Sequence, residues 1–155
     1  MTLVPGQLAP DFTLDSESGP LRLADFTGRP LVLYFYPRDD TSGCRAEAIA
    51  FRDSTPAFQE AGVAVLGVSR DSVASHAKFR AKFALPFLLG SDLDGTTTAA
   101  YGVWVEKSLY GRRFFGIERS TFLISGEGQI RALWRKVKVP GHIAAVLGEV
   151  YREES

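Results

Sequence analysis

Residues 30–48, PLVLYFYPRDDTSGCRAEA, decide how the rest of the chain is read. The first half is six consecutive apolar residues, 31–36, rich in β-formers and bracketed by Pro30 and Pro37. A run apolar on both faces marks a central strand covered on both sides. The second half turns polar and then reads as a helix start, with Thr41 as N-cap and Ser42, Gly43 and Cys44 as the first three helical residues. Cys44 is the only cysteine among 155 residues. A sulfur placed there faces backbone N–H groups that lack an intrahelical acceptor, at the positive end of the helix dipole.

Both features favour a thiolate, and their size shows what is missing. A thiol of ordinary acidity is only about 3% ionised at pH 7, and making the anion predominant takes roughly 3.4 kcal/mol. A helix terminus contributes about 0.3–1 kcal/mol, and ~2 kcal/mol in favourable, partly buried geometry. A cation must supply the remainder. Asp39, Asp40 and Glu47 have the wrong sign, and Arg38 and Arg45 read as solvated arginines near a loop. Arg119, heading the strand-like RSTFLI, is the better candidate. From the end of a buried strand it can reach the sheet edge where the Cys44 loop emerges, with fixed donors for sulfur and for an oxygen ligand.

Working outward, AEAIAFRDSTPAFQEAG continues the helical pattern, with a break near Pro56 and a stop at Gly62. VAVLGVSR reads as a second buried strand, and Asp71 or Ser72 caps the helix VASHAKFRAKFAL. PFLLGSD is a short third strand, and Asp94-Gly95 leads into a short helix, TTTAAYG. Residues 104–117 read as a long irregular loop or hairpin, while ERSTFLIS and GQIRALWRKV pair across Gly126-Glu127-Gly128. An amphipathic helix follows Pro140, its apolar stripe being Ile143, Val146, Leu147 and Val150. Upstream, DFTL and LRLADF flank Ser18-Gly19-Pro20 as a small N-terminal hairpin. The order predicts an α/β fold around a central mixed β-sheet flanked by helices. Thioredoxin-like folds use this order, and so do other α/β sandwiches.

The whole chain sets limits on function. Its length suits one domain, residues 1–155. Lys plus Arg equals Asp plus Glu at 18 each, so no general attraction to nucleic acid or anionic membranes is expected. No uncharged apolar run approaches the ~20 residues of a membrane helix. No secretory signal is read at the N-terminus, and with one cysteine a reducing cytoplasm is the expected location. His76 and His142 lack ligand spacing and read as solvated helix histidines, so no metal site is expected. Trp104, Tyr110, Phe114 and Phe115 read as core or pocket-rim packing, which leaves no spare apolar face and makes a monomer the expectation.

The residues also carry a resemblance. Residues 37–44, PRDDTSGC, have the Pro-x-x-x-Thr-x-x-Cys form of the peroxiredoxin active site. With YGVWVEKSLYG, IERSTFLIS and VKVPGH in order downstream, nearly the whole chain resembles the peroxiredoxin Q group, also called bacterioferritin comigratory protein. The resemblance implies a thioredoxin-like fold and a thiol-dependent peroxidase of hydrogen peroxide and small organic hydroperoxides, needing no metal, haem or flavin. It makes Cys44 the nucleophile that becomes a sulfenic acid. Thr41 would bond the thiolate and the peroxide, Pro37 would shield the pocket, and Arg119 would hold the thiolate and polarise the peroxide. The N–H groups of Gly43 and Cys44 would bind a peroxide oxygen. Glu47 either joins this network or, as a first-turn acid, merely complements the helix dipole. Ser42 stands where the group often has proline. Many members carry a second, resolving cysteine five residues on, here Ile49, or in the next helix, here residues 79–82. Neither place holds one, so the sulfenic acid would pass to an external thiol such as thioredoxin, or glutaredoxin with glutathione. The same absence keeps open a thioredoxin-fold redox sensor or binding protein that forms mixed disulfides with a partner.

Overall fold

The computed structural model describes residues 2–154. Strands β1 (Thr13–Leu14) and β2 (Leu21–Arg22) form the N-terminal hairpin, followed by a single 3-10 turn at Leu23–Phe26. Strand β3 (Leu31–Phe35) is the expected two-faced strand, and none of its residues is more than 1% exposed. Helix α1 (Ser42–Asp53) follows with Thr41 as N-cap in extended conformation. The break falls at Ser54, and α2 (Thr55–Glu60) holds Pro56 in its first turn, where a missing N–H costs nothing. Strand β4 (Ala64–Ser69), helix α3 (Val73–Phe83, capped by the Ser72 hydroxyl), strand β5 (Leu88–Ser91) and helix α4 (Thr96–Ala100) complete the first half. Residues 104–117 resolve as a regular antiparallel ribbon, β6 (Trp104–Leu109) with β7 (Arg112–Ile117). Strands β8 (Ser120–Ile124) and β9 (Ile130–Trp134) and helix α5 (His142–Glu154) end the chain.

The five-stranded sheet runs β5-β4-β3-β8-β9, parallel on the β4 side of β3 and antiparallel on the β8 side. This is the thioredoxin-like arrangement. Side-chain alternation along β3 divides the core in two. Val32 and Tyr34, with Tyr36 beyond the strand, face Cys44, Ala48, Phe51, Phe58, Phe79, Val146 and Val150, the apolar stripes of the helices. Leu31, Leu33 and Phe35 face Phe12, Leu14, Tyr101, Val103 and Ile117, so the N-terminal hairpin and the segment around α4 cover the other side.

Two expectations are corrected here. His76 and His142 are buried at 1% and 6% exposure, because each ring fills a place in the helix-side core and is bonded there. The aromatic residues of the β6–β7 ribbon are not core: Trp104, Tyr110, Phe114 and Phe115 are all exposed, Tyr110 at 96%. A two-stranded ribbon can bury only what another element covers; the register puts Trp104 and Phe115 on one side of it and Phe114 on the other, so these rings are exposed without forming one continuous face.

Tyr34 is fixed from two sides. Its ring stacks on Phe51 at 4.5 Å between centroids, and it lies over Gly67 of β4. A Cβ at Gly67 would stand 2.7 Å from Tyr34 Cζ and 2.8 Å from Leu89 Cδ2, closer than packed atoms allow. Gly67→Ala is expected to destabilise the protein by about 1–3 kcal/mol through overpacking. A lowered urea midpoint with unchanged slope checks this; an unchanged midpoint contradicts it.

Candidate active site

The register of the sheet brings distant residues together. Phe35 pairs with Ser120, so Arg119 stands at the C-terminal end of β3, where the chain leaves for α1. Its backbone is fixed by Val137, whose N–H donates to the Arg119 carbonyl at 3.0 Å. From there Arg119 Nη2 donates to Cys44 Sγ at 3.4 Å, and Nη1 donates to Glu47 Oε1 at 2.7 Å. Cys44 and Glu47 are three residues apart on α1, hence one turn apart on the same face. The guanidinium passes over Gly43, where a Cβ would stand 3.1 Å from Nη2. A side chain at residue 43 would crowd the arginine.

Cys44 is 1% exposed at the third helical position. The Thr41 side chain makes no cap bond; its hydroxyl donates instead to the Arg38 carbonyl at 3.0 Å. The first N–H groups of α1 are therefore not consumed by the N-cap side chain. Thr41 and Pro37 are both exposed, and neither side chain bonds Arg119 or Cys44 among the described residues. Glu47 is not in the first turn of its helix, and with 0% exposure it serves the Arg119 pair rather than the helix dipole. Arg38 and Arg45 do not join the site: Arg45 reaches Asp40 at 3.4 Å across an exposed surface.

Burial governs the charges here. It pushes the Glu47 carboxyl up to about 7, and the attraction of Arg119 only partly opposes it. Burial also pulls Arg119's proton affinity down, but Glu47 and Cys44 reverse this and leave it raised. Glu47 Oε2 and the Tyr34 hydroxyl are both buried without a hydrogen-bond partner among the described residues. His142 is pushed down to about 4, first by burial and then by Arg119, and its Nε2 meets the Thr121 hydroxyl at 2.7 Å.

The loop that carries the site is anchored by a second polar group. Asp39 Oδ1 accepts from the Tyr36 hydroxyl at 2.5 Å, and Oδ2 accepts from Ser75 at 2.8 Å and faces His76 Nδ1 at 2.7 Å. The Asp39 N–H donates to Asp71 Oδ2 at 2.8 Å, and His76 Nε2 faces the Gly90 carbonyl at 3.1 Å. Asp39, Asp71 and His76 have ligand atoms within 4.8 Å of one another. Protein groups already engage those atoms, so the cluster acts as a knot tying the loop to α3. Asp40, at φ 58°, adds an exposed bond to Lys82 at 2.8 Å.

Glu47 gives a pH-dependent expectation. Its folded value lies above its ordinary one of 4.5, so its contribution to stability is full below pH 4.5 and is lost as pH rises through about 7. Glu47→Gln is therefore expected to gain stability relative to wild type across pH 4.5–7, and no further above it. Urea melts at fixed pH values check this; a pH-independent difference overturns it.

Comparison with known proteins identifies the family. Residues 5–133 match the AhpC/TSA family model. Peroxiredoxin Bcp of Bacillus subtilis is 47% identical over 148 residues, covering 95% of this chain and 94% of that protein. Peroxiredoxin Bcp of Escherichia coli is 38% identical over 143 residues, covering 92% of each. Among solved structures, bacterioferritin comigratory protein of Xanthomonas campestris superposes with TM-score 0.88 at 46% identity, over 93% of this chain and 92% of that one. A cysteine-to-serine variant of Xylella fastidiosa peroxiredoxin Q superposes with TM-score 0.94 at 41% identity, over 100% and 99%. The chain thus belongs to the AhpC/TSA family, within its Bcp or peroxiredoxin Q group, and is a thiol-dependent peroxidase with a single cysteine.

Proposed function

We propose that the protein reduces hydrogen peroxide and small organic hydroperoxides through a sulfenic acid on Cys44, and that an external thiol returns it to the reduced state. The observation that carries this reading is the Arg119 guanidinium spanning Cys44 Sγ at 3.4 Å and Glu47 Oε1 at 2.7 Å, at the start of α1. The thiolate attacks one peroxide oxygen, the S–O bond forms as the O–O bond breaks, and the leaving oxyanion takes a proton to become water or an alcohol. Arg119 and the first N–H groups of α1 would carry the charge that moves from sulfur to oxygen, as in an oxyanion hole. Exposed Thr41 would turn its hydroxyl from the Arg38 carbonyl toward the bound peroxide, and Pro37 would limit the entry of water. Alkyl peroxide reduction is described for the Xanthomonas campestris relative, which supports including organic hydroperoxides.

The second half of the cycle follows from the residue count. With one cysteine, no intramolecular disulfide can form. The sulfenic acid is then reduced by one external thiol to a mixed disulfide and by a second to the free thiol, the reductant being thioredoxin, glutaredoxin with glutathione, or a similar thiol. All the groups named come from one chain, so a monomer suffices. Among the described residues no helix is long and apolar enough to cross a membrane.

Cys44→Ser is expected to abolish peroxide consumption, and mass spectrometry after one equivalent of peroxide should find one added oxygen on Cys44 of wild type. Wild-type turnover in the serine variant overturns the mechanism. Arg119→Met is expected to slow peroxide consumption about 100-fold, the typical loss on removing a preorganised donor. Equal rates would remove Arg119 from the chemistry.

A further inference from the structure

The peroxidase mechanism leaves the β6–β7 ribbon unused, although the ribbon grows out of the active-site end of the sheet. Strand β7 ends at Ile117, two residues before Arg119, and Ser120 pairs with Phe35 at the end of β3. Trp104, which opens β6, lies under the guanidinium of Arg70, the residue after β4, at 4.0 Å. Strands β3 and β4 run parallel, so both roots of the ribbon mark the sheet end where the Cys44 loop emerges.

One face of the ribbon carries Trp104, Glu106 and Ser108 from β6 with Phe115 and Arg113 from β7, and all five are exposed. The Trp104 and Phe115 rings stack at 6.5 Å between centroids, and Arg113 reaches Glu106 at 3.7 Å. At the tip, Tyr110 and Gly111 stand at φ 51° and 77°, the signs a type I′ turn requires. Such a turn prefers Asn, Asp or Gly at its first position, and a tyrosine there holds a strained backbone. The Tyr110 side chain is 96% exposed and makes no hydrogen bond or ring contact among the described residues, so nothing within the chain offsets that strain. Strain kept at an exposed aromatic points to use of the ring, and Trp, Tyr and Arg are the residues that anchor protein interfaces.

Size and charge select the occupant. Each strand has six residues, so one face measures about 20 Å by about 10 Å, roughly 200 Å². A stable dimer takes about 800 Å² from each partner, whereas a brief redox encounter takes less. A second copy held by this face alone would therefore not persist. Arg70, Arg112 and Arg113 stand on or against the ribbon, and residues 104–117 hold one carboxylate, Glu106, in a chain of zero net charge. That excess complements an acidic protein. Glu106, directly opposite Phe115, would have to enter a bilayer together with the rings, which the cost of burying a charge opposes.

We propose that this face, with Tyr110 at its tip, docks the protein thiol that reduces oxidised Cys44, a small dithiol protein with an apolar patch and carboxylates beside its own cysteines. This rests on the external-thiol cycle proposed above. Docking matters because Cys44 is 1% exposed and its loop is held through Asp39. A partner seated on the ribbon is present at high effective concentration whenever the sulfur is uncovered. Its thiolate attacks the Cys44 sulfur, the S–S bond forms as the S–O bond breaks, and hydroxide leaves and takes a proton from solvent. The second thiol of the partner then attacks the partner's own sulfur and frees Cys44. Cys44 gains two electrons as the dithiol becomes a disulfide.

The test compares reductants on protein oxidised with one equivalent of hydrogen peroxide. Reduced thioredoxin, reduced glutaredoxin or 2-mercaptoethanol is added, and return of the Cys44 thiol is followed by quenched mass spectrometry. At least one of the two proteins is expected to react about 100-fold faster per thiolate than 2-mercaptoethanol, an advantage that shrinks at high salt. Tyr110→Asn, Phe115→Ser and the double change Arg112→Glu with Arg113→Glu should each slow the protein reaction about tenfold. Their rates with peroxide and with 2-mercaptoethanol should stay at the wild-type value. Tyr110→Asn supplies the preferred turn residue, so its urea midpoint should hold or rise while its rate with the protein thiol falls. A merely structural role for the tip would move both the same way. Unchanged protein-thiol rates in all three variants overturn the proposal, and so does a wild type that neither protein reduces faster than 2-mercaptoethanol. Both results leave the external-thiol cycle standing. Binding to phosphatidylserine vesicles that Tyr110→Asn abolishes, with protein-thiol rates intact, overturns it in favour of a membrane contact. Failure of every thiol, small or protein, to reduce Cys44 overturns the cycle itself.

Discussion

One guanidinium holds this active site together. Arg119 is the link between the sheet and the helix, touching the sulfur at 3.4 Å and the buried carboxylate at 2.7 Å. A buried carboxylate alone is costly, and so is a thiolate beside it. The arginine makes their coexistence possible, and each of its neighbours serves its placement: the Phe35–Ser120 register, the Val137 N–H and the bare backbone of Gly43. The pairing is balanced rather than strong, since burial still leaves Glu47 near 7. Replacing the carboxylate is expected to favour stability while loosening the arginine, a conflict often found where function opposes folding.

Glu47 and His142 pull the pH response in opposite directions. His142 lies below its ordinary value, so its contribution is lost as pH falls from about 6.5 towards 4. Glu47 loses its contribution as pH rises from 4.5 to 7. Both respond to the one arginine and to burial in the same core. The windows overlap between pH 4.5 and 6.5, where the two effects offset each other and the protein should be least sensitive to acid.

Much of this was legible in the sequence because its signals are local. The residue 31–36 run gave the central strand, and the Thr41-to-Cys44 spacing gave the helix start with the sulfur at its third position. The motif named Arg119 and Glu47, but only the strand register brings residue 119 to residue 44. The histidines were misread because a lone histidine carries no sign of burial; the acceptors that bury His76 lie on the residue 39 loop and at Gly90. The aromatic ribbon was misread because apolar composition predicts burial only when something covers it, and among the described residues β6 pairs in a sheet only with β7.

The knot around Asp39 has a mechanical meaning. Four bonds from Tyr36, Ser75, His76 and Asp71 converge on one residue of the loop, and they come from a strand end, a helix and the turn before it. Three are made to one short side chain and the fourth to its own N–H, so withdrawing the whole residue breaks all four. Lifting the loop away from the beginning of α3 therefore needs these bonds to open together. Hydrogen exchange at residues 37–41 and 71–76 should then share a single opening event.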